Sequence, residues 1–312
     1  MGRAYPKWLN TVLQLLTLAA LAYLLSRTVD WSEAWTLLSG AHLLPLLAAA
    51  LLLTAQTVLS AMRWRLTAAR LGISLPMGFA VREYYLSQVV NQSLPGGVLG
   101  DAGRAVRARS QAGLLASGQS VLFERIAGQI GLLIILASGL LLNALSPSGL
   151  HWPLGVTTAI GGAFVLGLII LLVALTMRRT AIGRGLARFH HAVLAAPVLS
   201  KQANLSIGTA ALNISAFSLC ATAIGAPLPL LHATALVPMI LFAMVLPLSI
   251  SGWGLREGAA ALLFPIAGLS STAGLAASVA FGLTYLAVTL PGLLMVRRAP
   301  NLAADHNSEA KP

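Results

Sequence analysis

Apolar runs of membrane-crossing length alternate along this chain with short polar loops. The runs are Trp8 to Leu25, His42 to Met62, Val121 to Leu145, Leu154 to Met177, Asn204 to Ala223 and Ala273 to Val296. About 20 apolar residues in a helix cross a bilayer, so each run predicts a transmembrane helix. Two segments break the pattern. Met77 to Leu94 is only moderately apolar and carries Arg82, Glu83, Gln88, Asn91 and Gln92, a group that a lipid-facing span does not tolerate. It leads through Pro95-Gly96-Gly97 and Gly100 into a basic amphipathic stretch with Arg104, Arg107 and Arg109. Leu230 to Leu246 is apolar, breaks over Pro247–Gly254, and resumes at Arg256-Glu257 in a short helix ending near Pro265–Gly268. Both segments read as hairpins that enter the membrane, break and return. Non-helical backbone at that depth must be covered by protein or face a watery cavity.

The two breaks match each other. Leu94-Pro95, Gly100 and Arg104 answer in spacing to Leu246-Pro247, Gly252 and Arg256, and with a one-residue gap Gly72 and Pro76 answer to Gly225 and Pro229. Chance is the competing explanation, because Leu and Gly are common here. The breaks themselves coincide, however, and not only the leucines. This predicts an internal repeat over about 42–145 and 204–296, and paired broken helices of this kind point to a binding site at the membrane midplane.

Charge orients the helices. Arg63, Arg65 and Arg70 follow the second run, and Arg297-Arg298 follow the last. Arg178, Arg179, Arg184, Arg188 and Lys201 fill the loop 178–203, which has no acid. By the positive-inside rule these loops are cytoplasmic, as is the N-terminus with Arg3 and Lys7, while loops 26–40 and 146–153 lie outside. The first run lacks a small-x-small cleavage site and reads as a membrane helix, not a signal peptide. The expected fold is an all-α polytopic membrane protein with an inverted repeat, six full spans and two re-entrant hairpins. Residues 1–298 form one transmembrane domain, and 299–312 a polar, disordered tail. Counting the second hairpin's arms as full spans gives eight; that alternative also puts the C-terminus inside, so charge does not separate the two. All six Trp residues (8, 31, 35, 64, 152 and 253) fall near span or hairpin ends, as interfacial anchors do, although packing explains them too.

Composition fits this picture. The chain is 57% hydrophobic and 9% charged, against roughly 25% charged in soluble domains. Its net charge of +12 would suggest nucleic acid in a soluble protein. Here the basic residues sit in loops between spans, so anionic lipid headgroups are the expected counter-charge and no nucleic acid is expected. Cys220 stands alone and the six histidines are scattered, so neither a disulfide within the chain nor a metal site is expected. There is no Gly-x-Ser-x-Gly, no nucleotide P-loop and no paired carboxylates suited to acid/base work, hence no catalytic set and no cofactor.

The candidate chemistry lies at the breaks. Arg104 and Arg256 are repeat-related, and the guanidinium fork suits phosphate. Each would hold a phospholipid headgroup on one side of the membrane; the competing account pairs Arg104 with Asp101 and Arg256 with Glu257. The break from Pro95 through Gly96 and Gly97 to Gly100 leaves several backbone N–H groups free at a helix start, where anions bind. Asp101 alternatively serves there as an N-cap, with the glycines merely allowing the turn. Glu124-Arg125 is an ionisable pair entering an apolar span, a functional candidate unless Arg125 snorkels to the interface. Asn91 and Ser249 are candidate cavity-lining residues, and Gly252 and Gly254 shape the second break.

The pattern Asn91-x-x-Leu-Pro-Gly-Gly-x-x-Gly-Asp101-x-x-Arg104, then Glu124-Arg125, then Leu-Pro-Leu-Ser-Ile-Ser-Gly-Trp-Gly-Leu-Arg256-Glu257, resembles the flippase-like membrane domain of lysylphosphatidylglycerol synthases over about residues 5–298. Leu99 and Ser251 stand where that family usually has Gly, and Glu124 where Asp is usual. The full-length enzymes carry a soluble aminoacyl-transferring domain after the membrane part, which this sequence does not show before Pro312. The resemblance therefore implies a stand-alone translocase of a polar or anionic lipid in the cytoplasmic (inner) membrane. An accessory subunit or scaffold of a lipid-modifying enzyme is one alternative. A headgroup transferase is another, for which only Asp101, Glu124 and Glu257 are available. Expected partners are membrane lipids; a lipid-synthesis enzyme and a second copy of the chain remain open.

Overall fold

The computed structural model describes residues 23, 25–93, 98–158, 161–162, 167, 169, 180–245 and 253–294. Most of the first and fourth apolar runs, the tail, and the two hairpin tips with Pro95, Gly96, Gly97, Ser249 and Gly252 lie outside these residues. Every regular element among the described residues is helical. Asp30 opens α1 (Trp31–Ser39) by accepting the backbone N–H groups of Ser32 and Glu33. Its bond from the Ser32 hydroxyl, with those N–H groups, holds its carboxyl below the usual carboxylate range.

Then come α2 (Leu43–Ala69), α3 (Met77–Ser93), α4 (Leu99–Arg107) and α5 (Gly113–Leu145). A basic amphipathic helix, α6 (Ala181–Phe189), runs through a π turn into α7 (Ala196–Ala223). α8 (Leu230–Phe242), α9 (Leu255–Leu263), α10 (Ser271–Thr289) and α11 (Pro291–Leu294) complete the described chain. Among the described residues, four segments are long and apolar enough to cross a membrane: Leu43–Ala69, Gly113–Leu145, Ala196–Ala223 and Ser271–Leu293. At about 1.5 Å per residue, α3, α4, α8 and α9 each fall short of a ~30 Å hydrocarbon core. Leu43, Leu47 and Leu51 are exposed on one side of α2, as are Leu141, Leu142 and Leu145 on α5, an apolar outer surface suited to lipid.

The two halves build the same joints. Just beyond the ends of α2 and α7 comes a glycine with positive φ, Gly72 at 80° and Gly225 at 78°. Beside them Ile73 N–H bonds Ala68 C=O, and Ala226 N–H bonds Ala221 C=O, both at 3.0 Å. These are Schellman-type caps, and the left-handed residue is where glycine costs least. The next helices start alike, with the Pro76 and Pro229 carbonyls accepting from Ala80 and Ala233. Gly113 (79°) then opens the last long helix of the first half, and Gly268 (76°) precedes that of the second.

α2 and α7, the matching first helices, pack together and run antiparallel. His42 N–H reaches Ala223 C=O at one end, Arg63 reaches Thr209 further along, and Thr67 receives Gln202 near the other end. α5 comes close to α7 and α8 where Gly131 lies on the Ser206 backbone and Gly139 on that of Thr234. Small residues at such crossings let membrane helices pack backbone to backbone.

Two boundaries and one burial differ from the sequence reading. α2 does not stop at Met62 but continues through Arg63 and Trp64 to Ala69. Trp64, expected at an interface, is fully buried. α5 starts at Gly113 and not near Val121, so Glu124 stands about three turns inside it instead of at its inner end.

Candidate functional site

α3 and α4 lie side by side and antiparallel. Ser87 Oγ donates to Asp101 Oδ1 at 2.9 Å, Gly100 N–H donates to Asn91 Oδ1 at 2.8 Å, and Arg107 pairs with Glu83. Gly100 is helical and presses on the Ser87 backbone; a Cβ there would overlap the Ser87 carbonyl. Its role is close approach of the two arms, not a free anion-binding N–H. Asp101 is not the N-cap either. Val98 holds that position without a side-chain bond, because Asn91 from the opposite arm already satisfies Gly100.

Asp101 instead joins a polar cluster that draws on four helices. Arg63 of α2 sets Nη2 at 2.5 Å and Nε at 3.0 Å from Glu124 Oε1 on α5. Tyr84 Oη donates to the same oxygen at 2.9 Å. Arg104 of α4 reaches Glu124 Oε2 at 2.9 Å and Asp101 Oδ1 at 3.0 Å. Arg125 closes the set on Asp101 Oδ2. The Arg104 guanidinium is also stacked 4.9 Å from the Trp64 ring centre and 4.4 Å from that of Tyr84. Glu124 is 0% exposed and Arg104 1%, so these charges depend on each other for solvation.

The second hairpin has a smaller cluster. Arg256 Nη2 lies 2.5 Å from Glu257 Oε1 and its Nε 2.9 Å from Ser278 Oγ on α10. Its guanidinium rests 4.9 Å from the Trp253 ring centre and 5.4 Å from that of Phe281. Gly254, at φ 88°, starts α9, and its N–H donates to Glu257 Oε2 at 2.6 Å. Both repeat-related arginines thus have the same surroundings: an acid from their own helix, a polar side chain from the following long helix, and two aromatic rings.

A cavity of about 620 Å³ lies beside the first cluster. Its polar wall is built at helical spacing: Gln56, Ser60 and Arg63 on α2, Tyr84, Gln88 and Asn91 on α3, Arg125 and Gln129 on α5. Thr209, Asn213, Phe281 and Tyr285 extend it onto α7 and α10. The apolar part of the lining includes Ile126, Leu133, Leu241 and Met244. Ile126 and Leu133 are also exposed.

Of the residues singled out in the sequence, Asn91, Asp101, Glu124 and Arg125 line this cavity. Arg104 lies behind them, buried, and does not line it. Gly254, Arg256 and Glu257 form the separate second cluster, which touches the cavity lining at Phe281. Arg63, Tyr84, Gln56, Gln88, Gln129 and Tyr285 line the cavity without having been singled out. The signal for the first of these was present, since Gln56, Ser60 and Arg63 fall on one face of an otherwise apolar helix.

No curated protein matches the chain. The family model described as "Lysylphosphatidylglycerol synthase TM region" matches residues 11–292. With nearly the whole chain inside that match, from the helices before the first hairpin to the end of α10, this integral membrane protein belongs to the lysylphosphatidylglycerol synthase transmembrane-region family.

Proposed function

We propose that the protein is a lipid translocase of the cytoplasmic membrane, built from two inverted halves with six full spans, two re-entrant hairpins and both termini inside. The antiparallel pairing of α2 with α7, the short hairpin arms, and the collection of Arg65, Arg70, Arg184, Arg188 and Lys201 at one end of the bundle support this topology. The observation that carries the transport reading is the cavity. Its lining combines guanidinium, amide and hydroxyl groups with hydrocarbon, of which Ile126 and Leu133 are exposed. A lipid would place its headgroup against the polar groups and leave its acyl chains along the hydrocarbon. Arg63 and Arg125 are the guanidinium groups on the cavity wall and would take the phosphate. Arg104 and Arg256, held by acids and rings, would brace the two hairpins.

The test is transfer of fluorescent phospholipids across liposomes containing the purified protein, read as the fraction accessible to an impermeant quencher. Protein-dependent transfer, lost in Arg125→Gln, is the expected result; transfer no faster than in protein-free liposomes overturns it. The synthase in the family's description supports a second reading, a membrane partner of an enzyme that modifies lipids. The chain's own carboxylates support transport over group transfer, because both oxygens of Glu124 and of Asp101 are engaged by arginines.

A further inference from the structure

We propose that a groove at the inner end of the seam between α2 and α7 is a resident site for one anionic phospholipid of the cytoplasmic leaflet, separate from the lipid that would be moved. The choice of leaflet rests on the sidedness proposed above; the groove and its chemistry do not.

The groove has a volume of about 510 Å³ and shares no lining residue with the larger cavity. Met62, Arg65 and Leu66 of α2 form one side, and Lys201, Asn204 and Leu205 of α7 the other. On α2 these positions and Ala69 recur every three or four residues, so they share one face. Gln56, Ser60 and Arg63, which line the larger cavity, occupy another. The groove is therefore cut into the outside of the α2–α7 pair, where Met62 is 41% exposed. About three turns further along α2, exposed Leu51 continues the Met62 face.

Polarity is graded along the groove. Because α2 and α7 are antiparallel, Met62 and Leu205 lie deeper in the bundle, and Lys201 and Ser74 nearer its end. The deep part is hydrocarbon and the shallow part is cationic and polar. Arg65 Nε donates to Leu75 C=O at 2.7 Å, and its Nη1 lies 3.6 Å from Met77 Sδ. These contacts fix the guanidinium beside the loop after α2. No acid lines the groove. Among the described residues no carboxylate pairs with Arg65 or Lys201.

Two cations without an acid, set above a hydrocarbon floor, are complementary to a phospholipid of net negative charge. Basic pockets between transmembrane helices on the cytoplasmic side bind anionic headgroups. The phosphodiester would sit between Arg65 and Lys201, with the Ser74 hydroxyl and the Asn204 amide able to donate to it. The acyl chains would follow Leu66, Leu205 and Met62 toward the exposed face of α2. α2 belongs to one half of the protein and α7 to the other, so a phosphate held by both cations ties the halves together. Such a lipid stabilises the folded protein by mass action.

The experiment is thermal unfolding of the full-length, delipidated protein in a neutral detergent, with added phosphatidylglycerol, phosphatidylcholine or inorganic phosphate. Phosphatidylglycerol should raise the Tm saturably. At equal concentrations phosphatidylcholine should not, for want of net charge, nor inorganic phosphate, for want of acyl chains. In Arg65→Gln/Lys201→Gln the half-saturating concentration of phosphatidylglycerol should rise at least about tenfold, since each cation near a headgroup contributes about fivefold. If that variant does not fold, Lys201→Glu decides in its place: Lys201 is exposed, and reversing its charge should weaken the effect as much. An equal shift with phosphatidylcholine overturns the proposal, as does a shift with inorganic phosphate, which would mark a free-anion site. A phosphatidylglycerol effect unchanged in these variants belongs elsewhere, such as the larger cavity altered by Arg125→Gln, and overturns it too. So does a Tm that rises with protein concentration and ignores phosphatidylglycerol, because a second copy of the chain then covers the groove. Liposome transfer separates this site from the translocase reading: the lipid effect without transfer sinks the translocase alone, and transfer without the lipid effect sinks the groove alone.

Discussion

Arg63 and Glu124 meet across α2 and α5, with two guanidinium nitrogens of Arg63 at 2.5 and 3.0 Å from a single carboxylate oxygen. Glu124 also anchors Arg104 from the hairpin, so one fully buried acid ties α2, α4 and α5 together. The two partners are therefore unequal. Glu124→Gln raises the cluster's surplus from one positive charge to two, whereas Arg63→Gln lowers it to zero and leaves Glu124 bonded to Arg104 and Tyr84. Glu124→Gln should destabilise the protein by about 3–5 kcal/mol, the cost of an uncompensated buried charge. Arg63→Gln should cost clearly less and the double variant should recover most of the loss, all read by thermal unfolding in detergent. Equal losses for the two single variants would refute this charge account.

This pair also shows what the sequence could reveal. The repeat was legible because its punctuation is chemical: Gly72 and Gly225 supply the left-handed caps and Pro76 and Pro229 start the next helices, all visible as residue types. Arg63 was not legible as a cavity residue. A run of arginines after an apolar stretch reads as the cytoplasmic edge, a rule that presumes they face headgroups. Arg65 and Arg70 are partly exposed, as the rule expects, but Arg63 turns inward to an acid far along the chain. The same applies to Trp64, whose place beside Arg104 rather than at an interface depends on α4 folding back over it. Asp101 and Glu124 drew notice as charges within membrane segments, but their partners come from other helices, which spacing along one helix does not encode.

Gly100 supplies a steric test of the first hairpin. A methyl group there would run into the Ser87 carbonyl of the facing arm. Gly100→Ala should cost about 1–3 kcal/mol, the range for overpacking a close contact. Gly118→Ala on α5, where an added Cβ meets nothing within 4 Å, should be neutral or stabilising by up to about 1 kcal/mol through helix propensity. The two variants are compared by thermal unfolding, and a Gly100→Ala protein as stable as Gly118→Ala would show that the α3–α4 arms are not held this tightly.

The proposed sidedness is open to chemical labelling. Cys220 is buried, and in a Cys220→Ser background single cysteines can be placed at the exposed positions Ser148 and Ala187. Ser148→Cys should react with an impermeant maleimide added to intact cells, and Ala187→Cys only after permeabilisation. Labelling of Ala187→Cys from outside would invert the assignment of inside and outside.

Arg256 decides between a headgroup ligand and a structural brace. Its guanidinium is 0% exposed, pairs with Glu257, bonds Ser278, and is packed against Trp253 and Phe281. Gly282 leaves room for it, since a Cβ at that position would collide with both the guanidinium and the Trp253 ring. Phe281 alone of these contacts lines the cavity and the guanidinium itself does not, so the brace is the expected role. Arg256→Gln then leaves Glu257 as an unpaired buried charge and should destabilise the protein by about 3–5 kcal/mol. The double variant Arg256→Gln/Glu257→Gln removes both charges, while the amide that replaces the Glu257 carboxylate keeps an oxygen for the Gly254 N–H. It should restore most of the stability together with lipid transfer. Arg256→Lys should restore only part, because an ammonium lacks the planar fork that reaches Glu257 and Ser278 together. A headgroup role gives the opposite result: Arg256→Gln would stay folded at its normal unfolding temperature and lose transfer, and the double variant would not regain it. Thermal unfolding and liposome transfer, measured on the unaltered protein and these three variants, separate the two.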